Sequence, residues 1–325
     1  MRENLNRLNV LVAGGAGFIG SHLVDALLNI NAKKVIAVDN LFCGKIENLD
    51  AASKFSNYRF IYGDICKRKE TEAIIVSEEI DVVFNCSTKA LNYSFINPYD
   101  SFNTNTEALL CLLEIQRNKK FKTLCHFSSS EVFGSSLTEP MNEEHPMYPT
   151  TAYAAGKAAC DMLISSYQKM FDLDLFTVRP FNNFGPRQNW SDPLAAVIPR
   201  TIKRILEDSK PEIHGNGMQY RDFTYVQDTV NIVLKLYSMA RNGDFINIAS
   251  GKKTYIKDLV TTLIERLNKK NSIDIEYVSS RVADVKAHIG CTKKLESYLT
   301  YEFTDFNKAL IDTIHWYDQK FHHNI

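Results

Sequence analysis

The sequence has no surplus of charge of either sign. With 38 Lys and Arg against 38 Asp and Glu, interspersed along the chain, it offers no clustered basic face for the counterion release that drives nucleic-acid binding. Long apolar runs are also missing: a run such as Leu109–Leu113 falls far short of the roughly 20 residues a membrane helix needs, so no membrane partner is expected. The seven cysteines are odd in number and contain no CxxC pair, and the eight histidines show no HxxxH or HExxH spacing. These counts point to reduced thiols and to no metal site. The opening segment MRENLNRLNVLVAGGAGF lacks the apolar stretch and cleavage site of a signal peptide, so a cytoplasmic protein is expected. What is present is 45% hydrophobic and 11% aromatic residues over 325 positions, which excludes a disordered chain and supplies core for about two domains.

The first half alternates two periodicities. Short β-branched or apolar runs at 9–13, 34–39, 58–62, 82–85 and 123–128 read as strands, and segments at 18–28, 68–77 and 104–117 have helical spacing. A helix at 153–170 and a strand at 175–179 continue the series. Strands alternating with helices imply right-handed βαβ crossovers, and hence an α/β fold with a Rossmann-type doubly wound parallel sheet. After Phe181 prolines and glycines cluster and the elements shorten. The expected division is therefore a dinucleotide-binding domain over residues 1–180 and a smaller C-terminal α/β substrate domain over 181–325, with a helix at 226–240 able to return to the first.

Four glycines, Gly14, Gly15, Gly17 and Gly20, stand in AGGAGFIGSHL between a predicted strand and a predicted helix. Such a turn allows close backbone approach, and the helix start at Phe18 and Ile19 offers unpaired N–H groups to a pyrophosphate. The spacing is GxxGxxG. Asp39, closing the second strand 19 residues after Gly20, is placed to accept ribose hydroxyls and would repel a 2′-phosphate, which favours NAD over NADP unless Lys33 or Lys34 reaches around. Asn40 beside it, and Asp64 and Ile65 after the third strand, are further cofactor candidates. Tyr153 and Lys157 lie four apart on one helix face, where an ammonium can favour the phenolate of a tyrosine whose ordinary pKa is about 10.

GGAGFIGSHL, VDNL at 38–41, SSSEVFG at 128–134, YAAGK at 153–157, RPFNNFGPRQ at 179–188 and GNGMQYRDFTYVQD at 215–228 occur in order. Together they resemble the extended short-chain dehydrogenase/reductases, in particular the nucleotide-sugar epimerase/dehydratase family, over about residues 9–320. The resemblance implies that Tyr153 takes the proton of a sugar hydroxyl while hydride goes to NAD, with Ser129 hydrogen-bonded to the same oxygen. Glu131 sits where dehydratases of this family carry the base that removes the C5 hydrogen, and Ser130 where the dTDP-glucose dehydratases have an acidic Asp, an arrangement similar to the GDP-mannose type. The family further implies a nucleotide-diphosphate sugar held by Asn182, Arg187, Arg221, Arg281 and Asp284. It also implies a homodimer through the helices near 104–117 and 153–170, where Leu109, Leu112, Leu113, Met162 and Leu163 supply apolar surface for that contact or equally for the sheet. One departure is NCST at 85–88, where the family commonly has His-Leu-Ala-Ala; Asn85, Cys86 and Lys89 make that pocket more polar.

A 4,6-dehydratase is the expected activity. A 4-epimerase and a UDP-glucuronate decarboxylase share the scaffold, and the Asp of RDF at 221–223 argues against the decarboxylase. A dinucleotide sensor without chemistry would have no use for Ser129, Tyr153 and Lys157 in register.

Overall fold

The structure is a computed structural model and describes residues 2–269, 272–280, 283 and 285–322. Six strands alternate with helices through the first half: β1 (Asn9–Ala13), α1 (Phe18–Asn29), β2 (Lys34–Asp39), β3 (Tyr58–Tyr62), α2 (Arg68–Ser77), β4 (Val82–Asn85), α3 (Pro98–Arg117), β5 (Thr123–Phe127), α4 (Ala152–Phe171) and β6 (Leu175–Pro180). The chain then forms β7 (Asn182–Phe184), α5 (Val197–Leu206), β8 (Glu212–His214), β9 (Tyr220–Arg221), β10 (Phe223–Tyr225) and α6 (Val226–Met239). It ends with β11 (Phe245–Ile248), β12 (Thr254–Tyr255), α7 (Ile256–Arg266), β13 (Glu276–Val278), α8 (Lys293–Tyr298) and α9 (Phe306–His322).

Seven strands form one parallel sheet in the order β11-β6-β5-β4-β1-β2-β3. Strands such as β1, β4 and β5 are buried on both faces, which is why they read as continuous apolar runs. The face with Val10 and Val12 packs on α1 and α6, joining Leu23 and Leu27 to Val230 and Val233. The opposite face, with Leu11 and Val83, packs on α3 and α4. Strand order reverses at β1, between β2 and β4, and this opens a crevice at the carboxyl ends of the strands. Beyond residue 181, three two-stranded pairs and α5, α7 and α9 enclose a second core around Phe184, Ile202, Leu263 and Tyr317. Strand β11 and helix α6 belong spatially to the first sheet.

One expectation needs correction, and one alternative left open by the sequence is decided. Helix α3 starts at Pro98, not Thr104, because the Asn97 side chain accepts a hydrogen bond from the Asp100 N–H and Pro98 opens the first turn. The segment NPYDSFN carries these cap signals but no apolar period. Leu109, Leu112 and Leu113 are fully buried against the sheet and supply no outer surface. The outward face of these helices carries Tyr99, Phe102 and Met162 instead.

Candidate active site

At the crevice, β1 passes into α1 through a turn that only glycine fits. Gly14 has φ +73°, and a Cβ there would press on the backbone of Cys86 and Ser87 after β4, while a Cβ at Gly20 would collide with the Gly14 carbonyl. The helix starts at Gly17 with no side chain capping it, so its first N–H groups remain available to an anion. Asp39 ends β2 with its Oδ2 accepting from the Ala16 N–H at 3.0 Å and its Oδ1 from Leu41 at 2.7 Å. Burial raises its pKa, and these backbone donors oppose that shift. Asp64 accepts from the Cys66 N–H at 3.0 Å and from Asn40 Nδ2 at 3.4 Å, joining the loops after β2 and β3. Lys34 is at the far end of β2, about 16 Å from Asp39 at the usual rise per residue, where its ammonium bonds Glu78.

The Ser129, Glu131, Tyr153 and Lys157 side chains meet further along the same crevice. Ser129 caps the short 3₁₀ turn Ser130–Phe133, its Oγ accepting from the Glu131 N–H at 3.2 Å. Tyr153 lies in the first turn of α4, whose N-cap Thr151 accepts from the Ala154 N–H. Burial raises the Tyr153 phenol to about 12; the Ser129 hydroxyl opposes this, the Glu131 charge adds to it, and the Thr88 hydroxyl opposes it again. Lys157 is 2% exposed and donates to the Phe127 carbonyl at 2.8 Å, 6.0 Å from the Tyr153 ring centre. Burial lowers its own pKa. One turn on, Asp161 and Arg179 form a buried ion pair at 2.9 Å that fastens α4 to β6.

A cavity of about 530 Å³ connects these groups; among the described residues the catalytic, cofactor and substrate candidates line it, as do Cys86 and Lys89, whereas Gly15 and Asn85 do not, and Arg281 and Asp284 are further candidates. Those two lie outside the described residues. Asn182 Nδ2 donates to His288 Nδ1 at 3.4 Å, and His288 Nε2 donates to the Ser130 carbonyl at 3.0 Å, so the wall behind Ser130 is tied to the second core. Ser130 is 2% exposed and places no titrating group at that position. Arg221 lines the cavity, with Nη1 on the Tyr220 carbonyl. Arg187 lines it too, but its guanidinium is ion-paired to Asp25 of α1 at 2.7 Å. Asp222 of the RDF segment faces away from the chemistry; it takes the N–H groups of Ser250, Gly251 and Gly290. Lys89 is held over Phe42, 3.2 Å from the ring centre, and pairs with Asp100 at 3.4 Å.

Sequence reasoning missed His288 and Thr88. His288 is a lone histidine in an apolar segment, and Thr88 belongs to a stretch that departs from the family pattern, so neither carried a spacing signal. Asn85, in the same stretch, donates to buried His126 Nδ1 at 3.2 Å and accepts from Ser87 Oγ at 2.5 Å.

A family model described as GDP-mannose 4,6 dehydratase matches residues 11–313. A dTDP-D-glucose 4,6-dehydratase of Homo sapiens is 28% identical over 321 residues, covering 96% of this chain and 91% of that protein. Among solved structures, a UDP-N-acetylglucosamine 4-epimerase from Methanobrevibacter ruminantium is 33% identical with a TM-score of 0.88, covering 97% of this chain and 99% of that one. DesIV, a dTDP-glucose 4,6-dehydratase from Streptomyces venezuelae solved with NAD bound, is 25% identical with a TM-score of 0.91, covering 97% and 98%.

Proposed function

The chain belongs to the GDP-mannose 4,6-dehydratase family, within the extended short-chain dehydrogenases/reductases, and from that premise we propose that it is an NAD-dependent nucleotide-sugar 4,6-dehydratase. The observation that carries the reading is Glu131, a carboxylate on the cavity wall whose charge acts directly on the Tyr153 phenol. Nicotinamide, when bound, supplies the chemistry of taking hydride from the sugar C4 and giving it back. Tyr153 takes the C4 hydroxyl proton, with Ser129 hydrogen-bonded to the same oxygen and Lys157 fixed below. A ketone at C4 acidifies the C5 hydrogen. Glu131 removes that proton and passes it to the C6 hydroxyl, which leaves as water. Substrate contacts fall to Asn182 and Arg221 from the second domain, with Arg187 behind them. The test is mass spectrometry of products from a panel of UDP-, dTDP-, GDP- and CDP-sugars. Loss of one water supports the proposal; a product of unchanged mass selects the 4-epimerase, which the likeness to an epimerase favours as second reading. Release of carbon dioxide from a glucuronate would select the decarboxylase.

The cavity fits NAD at the glycine turn, the uncapped start of α1 and Asp39. Asp39→Ala should weaken NAD binding by about 10- to 100-fold, the usual weight of hydrogen bonds to a charged group, and relax discrimination against NADP. Equilibrium dialysis with both dinucleotides measures this; NADP extracted from the wild-type protein would overturn it.

The partner proposed for the chain itself is a second copy. On α4, Ala155, Ala159, Met162, Ser166 and Met170 form an outward stripe at helical spacing, with Met162 62% exposed. Tyr99 and Phe102 of α3 lie on the outward face as well. Met162→Glu should convert a dimer to monomer in sedimentation at micromolar concentration, whereas a wild-type monomer refutes the pairing. Among the described residues no helix is long and apolar enough to cross a membrane. A cytoplasmic setting is part of the proposal, from cysteines whose spacing suits reduced thiols.

A further inference from the structure

The end of the cavity formed by the second domain carries a row of polar groups with a definite order. Strand β8 alternates: Ile213 enters the second core, while Glu212 and His214 face the cavity. The Glu212 carboxylate lies between two guanidinium groups, with Oε2 2.7 Å from Arg200 Nη2 and Oε1 2.8 Å from Arg204 Nη1. Both arginines project from one face of α5, four residues apart. Asp192 stands 3.4 Å from Arg200 Nε, so two cations meet two anions and the cluster has no net charge to attract a diphosphate. All three side chains line the cavity, and each Glu212 oxygen keeps a lone pair beyond its bond to a guanidinium, so a ligand edge laid along the row would meet donor, acceptor, donor. Each guanidinium has five N–H groups, more than its partners here consume.

We propose that the row Arg200, Glu212, Arg204 reads the base of the substrate nucleotide and selects uracil or thymine. This rests on the nucleotide-sugar reading above: with the sugar at Tyr153, the nucleotide extends into the second domain and its base reaches this uncharged end. The imide edge shared by uracil and thymine runs carbonyl, N–H, carbonyl, which complements donor, acceptor, donor at all three positions. Guanine offers one acceptor and two donors, so one of its N–H groups faces a guanidinium. Cytosine fits worse, because its amino group meets a guanidinium and its bare N3 meets the carboxylate. A site built to pair with a polar edge discriminates strongly, since a mismatch leaves desolvated groups unpaired on both sides.

Isothermal titration of the NAD-containing protein with UDP, dTDP, CDP and GDP tests the proposal. UDP or dTDP should bind about 10- to 100-fold more tightly than CDP and GDP. Comparison of the first two shows whether the 5-methyl group and the missing 2′-hydroxyl matter. Glu212→Gln keeps the size of the side chain but can turn an amide donor toward N3 of cytosine, so the preference for UDP over CDP should shrink by about tenfold. Retained NAD reports that the variant is folded. Tighter binding of GDP or CDP, or a preference left unchanged by Glu212→Gln, overturns the assignment of the base and leaves the dehydratase reading standing. Binding of none of the four removes the nucleotide-sugar reading and the base assignment with it.

Discussion

Tyr153→Phe should abolish turnover, and Glu131→Gln should leave oxidation at C4 intact while slowing loss of water by about 10² to 10⁴-fold, the range for removing a positioned general base. The two differ because the proposed mechanism divides the work between two elements: Tyr153 lies in the first turn of α4, and Glu131 in the turn after β5. Without its hydroxyl, residue 153 has nothing to accept the first proton, and no later step can start. Glutamine at 131 retains size and hydrogen-bonding reach but cannot take the C5 proton. The pair is also electrically linked, since the Glu131 charge is one of the causes holding the Tyr153 phenol near 12. Removing that charge lowers the phenol pKa, so the oxidation half-reaction of Glu131→Gln should begin at lower pH than in the wild type. Single-turnover measurements across pH, following cofactor absorbance and product mass together, read both effects. A Glu131→Gln enzyme that forms product at the wild-type rate sinks the dehydratase assignment and transfers the case to 4-epimerisation.

The sequence was legible wherever function sits on one local unit. The glycine turn, the strand-end Asp39, the SSSE turn and the Tyr153/Lys157 pair each belong to a single strand–turn–helix segment; spacing marks the first two, and the family resemblance marks Ser129, Glu131 and the Tyr153/Lys157 pair. Strand limits could be read for the same reason, because a strand buried on both faces must be apolar throughout. What could not be read is what the tertiary fold assembles. Asn182, His288 and Ser130 are far apart in sequence and meet only because β7 and the segment before α8 pack behind the β5 turn. Arg200, Arg204 and Glu212 look like ordinary surface charges until α5 and β8 bring them together at the cavity. The inward turn of Leu109, Leu112 and Leu113 was ambiguous because one apolar helix stripe suits a sheet and a partner helix equally.

Mild acid should destabilise this protein, because three histidines are buried in the neutral form. His22 donates from Nε2 to the Pro186 carbonyl at 3.0 Å, and burial together with the neighbouring Arg187 charge lowers its pKa to about 4. Burial and the Arg221 charge lower His288 to about 3, and burial with the Lys157 charge puts His126 well below its ordinary value. In the unfolded chain each returns to a value near 6.5. Between these limits the unfolded state binds protons that the folded state does not, so stability is complete above the unfolded pKa and falls as pH drops below it. At about pH 5.5 each histidine removes roughly 1.4 kcal/mol relative to about pH 7.5, or about 4 kcal/mol for the three, a large part of a typical domain's 5 to 15 kcal/mol. Urea unfolding at the two pH values measures the difference, and a stability unchanged between them would refute the neutral burial of these rings. His288→Asn should remove about one third of the pH dependence. Function should fail along with the fold, because unfolding, which lets His288 take up its proton, separates it from Asn182 and Ser130 and the wall behind Ser130 loses its tie to the second core.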